Sequence, residues 1–219
     1  MIIDRLLYNA KNFSKKIKEK IKPEKKEEPL RDRVLELIKF NCYRKGDFTL
    51  SSGRKTEHYV NCKSLTLHSE GLVLVSKLIL HELQIRRTKI NTPRTVAGLT
   101  LGADPLVSGV ICESHYQSDL LEFALIVRKE PKGYGTNAWI EGRRMGEKGI
   151  CIMLEDVITT GASVIKAAEK VREAGYVVTQ VLTLVDRQEN GEADTAMKMA
   201  GLELVSLFTL EDIVNAENE

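Results

Sequence analysis

Along the C-terminal part of the chain, short and nearly unbroken apolar runs alternate with stretches of helical period. Thr95 to Leu99, Phe123 to Val127, Gly149 to Leu154, Val177 to Val185 and Leu202 to Ser206 read as strands. Between them, Pro105 to His115, Val164 to Ala174 and a segment near Ala193 to Met199 read as helices. Strands without polar alternation, separated by helices, predict a parallel sheet covered on both faces, hence an α/β fold. Ligands of such sheets bind beyond the carboxyl ends of the strands.

Ahead of the sheet, Val34-Leu35 and Leu37-Ile38 carry a helical pattern that starts at Arg31. It leads through Gly46 to Phe48-Thr49-Leu50-Ser51-Ser52-Gly53-Arg54, and a second extended stretch runs from His58 to Cys62. The turn chemistry between these two stretches predicts a hairpin that caps the sheet. Residues 1–30 differ from the rest. Eight lysines fall between Lys11 and Lys26, Leu6, Phe13, Ile17 and Ile21 lie near helical spacing, and Pro23 and Pro29 mark a boundary. The expected organisation is a lysine-rich extension over 1–30, disordered or helical, then a hood over about 31–65 and a core over about 66–219. For the extension, a solvated tail stands beside membrane-surface contact and organelle targeting; Glu19 and Glu24 count against targeting.

Composition narrows the class. A chain of 219 residues with 42% hydrophobic and 29% charged residues can bury one sizeable core. A net charge of +2 gives no argument for a nucleic-acid partner. The four cysteines, Cys42, Cys62, Cys112 and Cys151, form no C-x-x-C pair, which fits a reducing cytoplasm. None of the four histidines has zinc-ligand spacing. The apolar run from Gly71 to Leu80 is short and broken by Ser76 and Lys77, and the first residues lack a secretory pattern. The expectation is a cytoplasmic protein with no membrane partner.

Candidate chemistry concentrates at Ile150 to Ser163. The apolar strand Ile150-Cys151-Ile152-Met153-Leu154 runs into Glu155-Asp156, then Val157-Ile158-Thr159-Thr160-Gly161-Ala162-Ser163, which opens a helix. Free N–H groups at a helix start, together with the positive end of its dipole, suit a phosphate. The paired carboxylates can accept hydrogen bonds from vicinal hydroxyls. One end of such a site reads a phosphomonoester and the other a ribose diol. A strand ending in an acid before a capped helix also occurs in α/β proteins generally; the whole string is what argues for a site. It resembles the PRPP-binding signature of type I phosphoribosyltransferases.

A long segment between two strands, Arg128 to Gly142, is rich in glycine and cations. Loops of this length are commonly functional lids, and Arg128, Lys129 and Lys132 suit a pyrophosphate. A solvated basic hairpin is the alternative. Gly133-x-Gly135 has no helix after it and carries no dinucleotide reading.

Arg128-Lys129-Glu130-Pro131-Lys132 with Gly135-Thr136 resembles the catalytic loop of orotate phosphoribosyltransferases. Phe48 to Arg54 resembles their F-x-L-x-S-G-R hood segment, and Asp186-Arg187-Gln188-Glu189 their D-R-Q-E motif. The four matches fall in family order from about Arg31 to the C-terminus. The resemblance implies a type I phosphoribosyltransferase-like parallel sheet flanked by helices, with a small N-terminal hood. It implies that orotate attacks C1 of PRPP to give orotidine 5′-monophosphate and pyrophosphate, a step of UMP biosynthesis.

On the matching positions, Glu155 and Asp156 would hold the ribose hydroxyls, and Val157, Ile158, Thr159, Thr160, Gly161, Ala162 and Ser163 would wrap the 5′-phosphate. Arg128, Lys129, Lys132 and Tyr134 would meet PRPP, with Lys132 and Asp156 catalytic and Mg²⁺ carried by PRPP rather than by a protein-only site. Thr159 and Arg187 would bind orotate, a planar guanidinium fork suiting its carboxylate. A homodimer with the lid shared between subunits is implied as well. Ser51 and Gly102 stand where family lysines are often found, and Tyr59-Val60 replaces an aromatic pair beside the base. Two other readings are a purine phosphoribosyltransferase, in which Arg187 has no carboxylate to meet, and a non-catalytic PRPP sensor that binds RNA, for which a complete lid has no use.

Overall fold

The computed structural model describes residues 29–49, 53, 55–86, 94–118, 120–131, 139–142, 149–188 and 190–215. The lysine-rich segment therefore lies outside the described residues, apart from Pro29 and Leu30. Lys132, Tyr134, Ser51 and Glu189 lie outside them too.

Helix α1 (Leu30–Cys42) leads directly into β1 (Tyr43–Thr49), which pairs antiparallel with β2 (Lys55–Val60); the expected hairpin forms, but its strands start earlier than the stretches from Phe48 and His58. Short α2 (Lys63–Thr66) and long α3 (Ser69–Arg86) follow. The sheet is then built by β3 (Thr95–Leu99), α4 (Asp104–Gln117), β4 (Phe123–Val127), β5 (Ile140–Glu141), β6 (Cys151–Ile158), α5 (Ala162–Glu173), β7 (Gln180–Asp186), α6 (Glu192–Met199), β8 (Glu203–Thr209) and α7 (Leu210–Asn215). Its order is β5-β4-β3-β6-β7-β8, parallel throughout except for β5.

The pleat explains why the strands are apolar on both faces. On β6, Ile152 and Leu154 join Val96, Leu182 and Leu184 in one cluster beneath α1, α3, α4 and α7, while Cys151 and Met153 face Val164, Ala167, Ala168 and Met197 of α5 and α6. Val34, Ile38, Val60 and Leu65, from the hood part of the sequence, belong to the first cluster. The hood and the sheet thus share apolar packing, and their separation at about 65 remains a proposal about function.

Several boundaries differ from the sequence expectation. The strand expected to end at Leu154 runs on to Ile158, because β7 continues the parallel ladder past the acids at Glu155↔Thr183, Val157↔Val185 and Ile158↔Asp186. The strand expected from Val177 enters the sheet only at Gln180, with Val177 confined to an isolated bridge to Ile150. The segment from Arg128 to Gly142 is not loop throughout: β5 pairs with Val127 and Ile126, and the Arg128 N–H donates to the Trp139 carbonyl at 2.8 Å, drawing the two ends of the segment together. Helices α3 and α7 were not expected from the pattern.

Candidate active site

At the carboxyl end of β6 the sheet opens into a cleft of about 560 Å³ lined by Tyr59, Lys63, Glu155 to Val164 and Arg187. The extension of β6 through the acids puts both carboxylates on a rigid strand, at 8% and 7% residue exposure for Glu155 and Asp156. Glu155 Oε1 accepts the Asp156 N–H at 3.2 Å. Burial, and next the neighbouring Asp156 charge, raise the Glu155 carboxyl well above its ordinary range, while Lys63 draws it back.

Beyond Ile158 the chain turns through Thr159 and Thr160 to Gly161, which takes φ +76° as it caps α5. A Cβ at Gly161 would be strained by that φ and would stand 2.7 Å from Met197 Cε. The first turn of α5 holds no acidic residue that would oppose an anion at its positive end. Among the described residues, the Thr160, Gly161 and Ser163 N–H groups have no backbone acceptor, while the Ala162 N–H reaches Thr160 Oγ1 at 3.5 Å. The helix starts two residues earlier than the sequence pattern predicts, which places these donors at the mouth of the cleft.

Arg187 closes the opposite side. It is 9% exposed, and its guanidinium donates to Thr159 Oγ1 at 3.0 Å and to the His58 carbonyl on β2 at 3.2 Å. Its neighbours in the D-R-Q-E motif do structural work. Asp186 accepts from the Gln188 N–H at 2.9 Å, and Gln188 Oε1 accepts the N–H groups of Ala193 and Asp194, holding the start of α6. The structure thus brings Glu155, Asp156, Val157 to Ser163 and Arg187 into one cleft. It does not bring Arg128 there: the guanidinium pairs with Glu141 at 3.2 Å, and neither Arg128 nor Lys129 lines the cleft. Sequence reasoning missed Lys63, Asn61 and Thr49 on the cleft wall. Thr49 lies within the hood segment read from the sequence and Asn61 directly follows β2, whereas nothing local marks Lys63 at the start of α2.

No protein-family model matches the chain. It is 47% identical over 184 residues to an orotate phosphoribosyltransferase of Thermosynechococcus vestitus, covering 84% of this chain and 93% of the relative, and 42% identical to one of Nostoc sp. over 84% and 85%. Among solved structures, the orotate phosphoribosyltransferase of Mycobacterium tuberculosis H37Rv in complex with PRPP superposes with a TM-score of 0.66 at 30% identity, over 85% of this chain and 99% of that one. A mostly parallel sheet with an acid pair and a helix N-terminus at the end of one central strand is the architecture of a type I phosphoribosyltransferase. Within that class the chain belongs to the orotate phosphoribosyltransferase family.

Proposed function

We infer that the chain is an orotate phosphoribosyltransferase, which transfers the ribose 5-phosphate of PRPP to orotate and releases pyrophosphate in pyrimidine biosynthesis. The observation that carries this reading is Arg187. A buried guanidinium stands in the same cleft as the acid pair and the α5 N-terminus, bonded to Thr159 at the border between them. A planar guanidinium can engage both oxygens of a base carboxylate, a group that orotate carries and a purine lacks.

The roles follow from position. The segment from Val157 to Ser163, from the end of β6 to the α5 N-terminus, takes the 5′-phosphate. Glu155 and Asp156 take the ribose hydroxyls, and Arg187 with Thr159 takes orotate. As the bond from C1 to the diphosphate breaks and N1 of orotate closes on C1, positive charge grows on the ribose and negative charge on the departing group. Positioning and charge complementarity are therefore the main demands.

The pyrophosphate side is assigned to Arg128, Lys129, Lys132 and Tyr134. Arg128 pairs with Glu141 and does not line its own cleft; the homodimer with a lid shared between subunits rests on the resemblance to the family alone. Mg²⁺ fits as a partner of PRPP. Glu155 and Asp156 at the ribose end and the oxygens of PRPP are hard donors of the kind Mg²⁺ prefers. When bound, it would offset charge on the leaving group.

A cytoplasmic setting agrees with four unpaired cysteines; among the described residues no helix is long and apolar enough to cross a membrane. The test is incubation with PRPP, Mg²⁺ and orotate beside adenine, guanine, hypoxanthine and uracil. Loss of orotate absorbance with release of pyrophosphate is expected. Turnover of a purine but not of orotate overturns the reading.

A further inference from the structure

Lys63 lies outside every motif read from the sequence. It opens α2, directly after the hairpin, and its Nζ donates to Asp156 Oδ2 at 3.1 Å across 93 residues of chain. The other oxygen, Oδ1, accepts the Val157 N–H at 3.0 Å. The carboxylate also rests on Gly102, where a Cβ would come within 2.5 to 2.9 Å of Oδ1, Cγ and Oδ2. Asp156 is thereby held by its own strand, by the loop after β3 and by the hood, with the cleft beside it.

Charge gives this contact a purpose beyond packing. Two carboxyl groups on successive buried residues stand at one strand end, where the charge of either is costly without a cation close by. Lys63 meets that need from a side chain 44% exposed, whereas the Asp156 side chain is 10% exposed. A pair with one partner in solvent contributes little to stability, so its worth lies in what it orients. Strand β2 of the same hood touches the base end of the cleft, where the His58 carbonyl accepts from Arg187. The β2 segment and the residue opening α2 thus tie down both the sugar acid and the base arginine.

We propose that Lys63 is a positioning residue for phosphoribosyl transfer: anchored on the hood, it orients Asp156 toward the ribose and offsets the charge of the acid pair. The proposal rests on the reading of the cleft as a PRPP and orotate site.

Wild-type protein, Lys63→Met and Lys63→Arg are assayed with PRPP and orotate varied in turn, and thermal melts are recorded for each. Turnover of orotate by the wild type tests the functional reading by itself. Given that turnover, Lys63→Met is expected to lower kcat/KM for PRPP by about 10²-fold, the scale of a misplaced reacting group. The KM for orotate should stay within about twofold, and Lys63→Arg should recover about tenfold of the loss, because a cation at the same place restores the ion pair that orients Asp156. A Lys63→Met enzyme with unchanged kcat/KM for PRPP overturns the proposal. So do equal losses toward both substrates accompanied by a collapsed melting temperature, which assign Lys63 to hood packing, and so does Lys63→Arg no better than Lys63→Met.

Discussion

A Cβ built on Gly102 would stand 2.5 Å from Oδ1 of Asp156, so the bare backbone of that glycine forms a wall on which the acid rests. No side chain fits between them unless the carboxylate moves. Gly102→Ala is expected to turn Asp156 away and lower kcat/KM for PRPP by about 10²-fold, with a displacement of the order of an ångström as the cause. Gly46→Ala is the control, since its Cβ would meet nothing nearer than a Phe48 ring atom at 3.4 Å. Steady-state kinetics with PRPP varied check both; equal activity in the two variants would show that the Asp156 orientation does not matter.

Arg187→Ala should act on the other substrate. Loss of hydrogen bonds from a charged donor is worth roughly 1.5–3 kcal/mol, or about ten- to a hundredfold in the KM for orotate. The KM for PRPP should change much less. Arg187→Lys should not restore orotate binding fully, because an ammonium cannot reproduce the guanidinium fork that spans Thr159 Oγ1 and the His58 carbonyl. A PRPP-specific defect in Arg187→Ala would refute the base-side assignment.

The left-handed backbone at Gly161 invites a stability test. At φ +76°, with Met197 Cε 2.7 Å from a built Cβ, Gly161→Ala should destabilise the fold by about 1–2 kcal/mol through backbone strain alone. Urea unfolding measures it. The α5 start should also shift, so stabilisation by added PRPP should weaken in a thermal melt.

The raised carboxyl of Glu155 links folding to pH. Burial and the Asp156 charge hold its folded-state value well above the ordinary 4.5, so between those two values the folded chain keeps a proton that the unfolded chain releases. Stability from this group is full below pH 4.5 and is lost as pH rises through the folded-state value. Glu155→Gln removes that loss. The melting temperature of Glu155→Gln minus that of the wild type should therefore increase as pH is raised from about 4.5 toward neutrality; a difference that shrinks over this range would contradict the assigned direction.

What could be read from the sequence was local. The alternation of apolar strands with helical segments determined a parallel α/β sheet, because a strand buried on both faces needs apolar residues at every position. Strands at Thr95–Leu99 and Phe123–Val127 stand where the pattern put them. The acid pair, the small-residue turn and the helix start lie within one stretch, so the chemistry of a ribose phosphate was visible there.

What only the tertiary structure decided depends on residues distant in sequence. β6 carries the acids within a strand because β7 extends the ladder, and β5 exists because Val127 and Ile126 offer it an edge. The meeting of Lys63 with Asp156, of Gly102 with the same carboxylate, and of Arg187 with the His58 carbonyl joins positions that share no local pattern. Backbone propensity and side-chain periodicity act over a few residues, whereas a charge or a close approach is set by whichever parts of the chain packing brings together. The sequence therefore determined the sheet and the sugar-phosphate motif; the packing of hood on sheet decided which cation faces the acids and what holds the arginine.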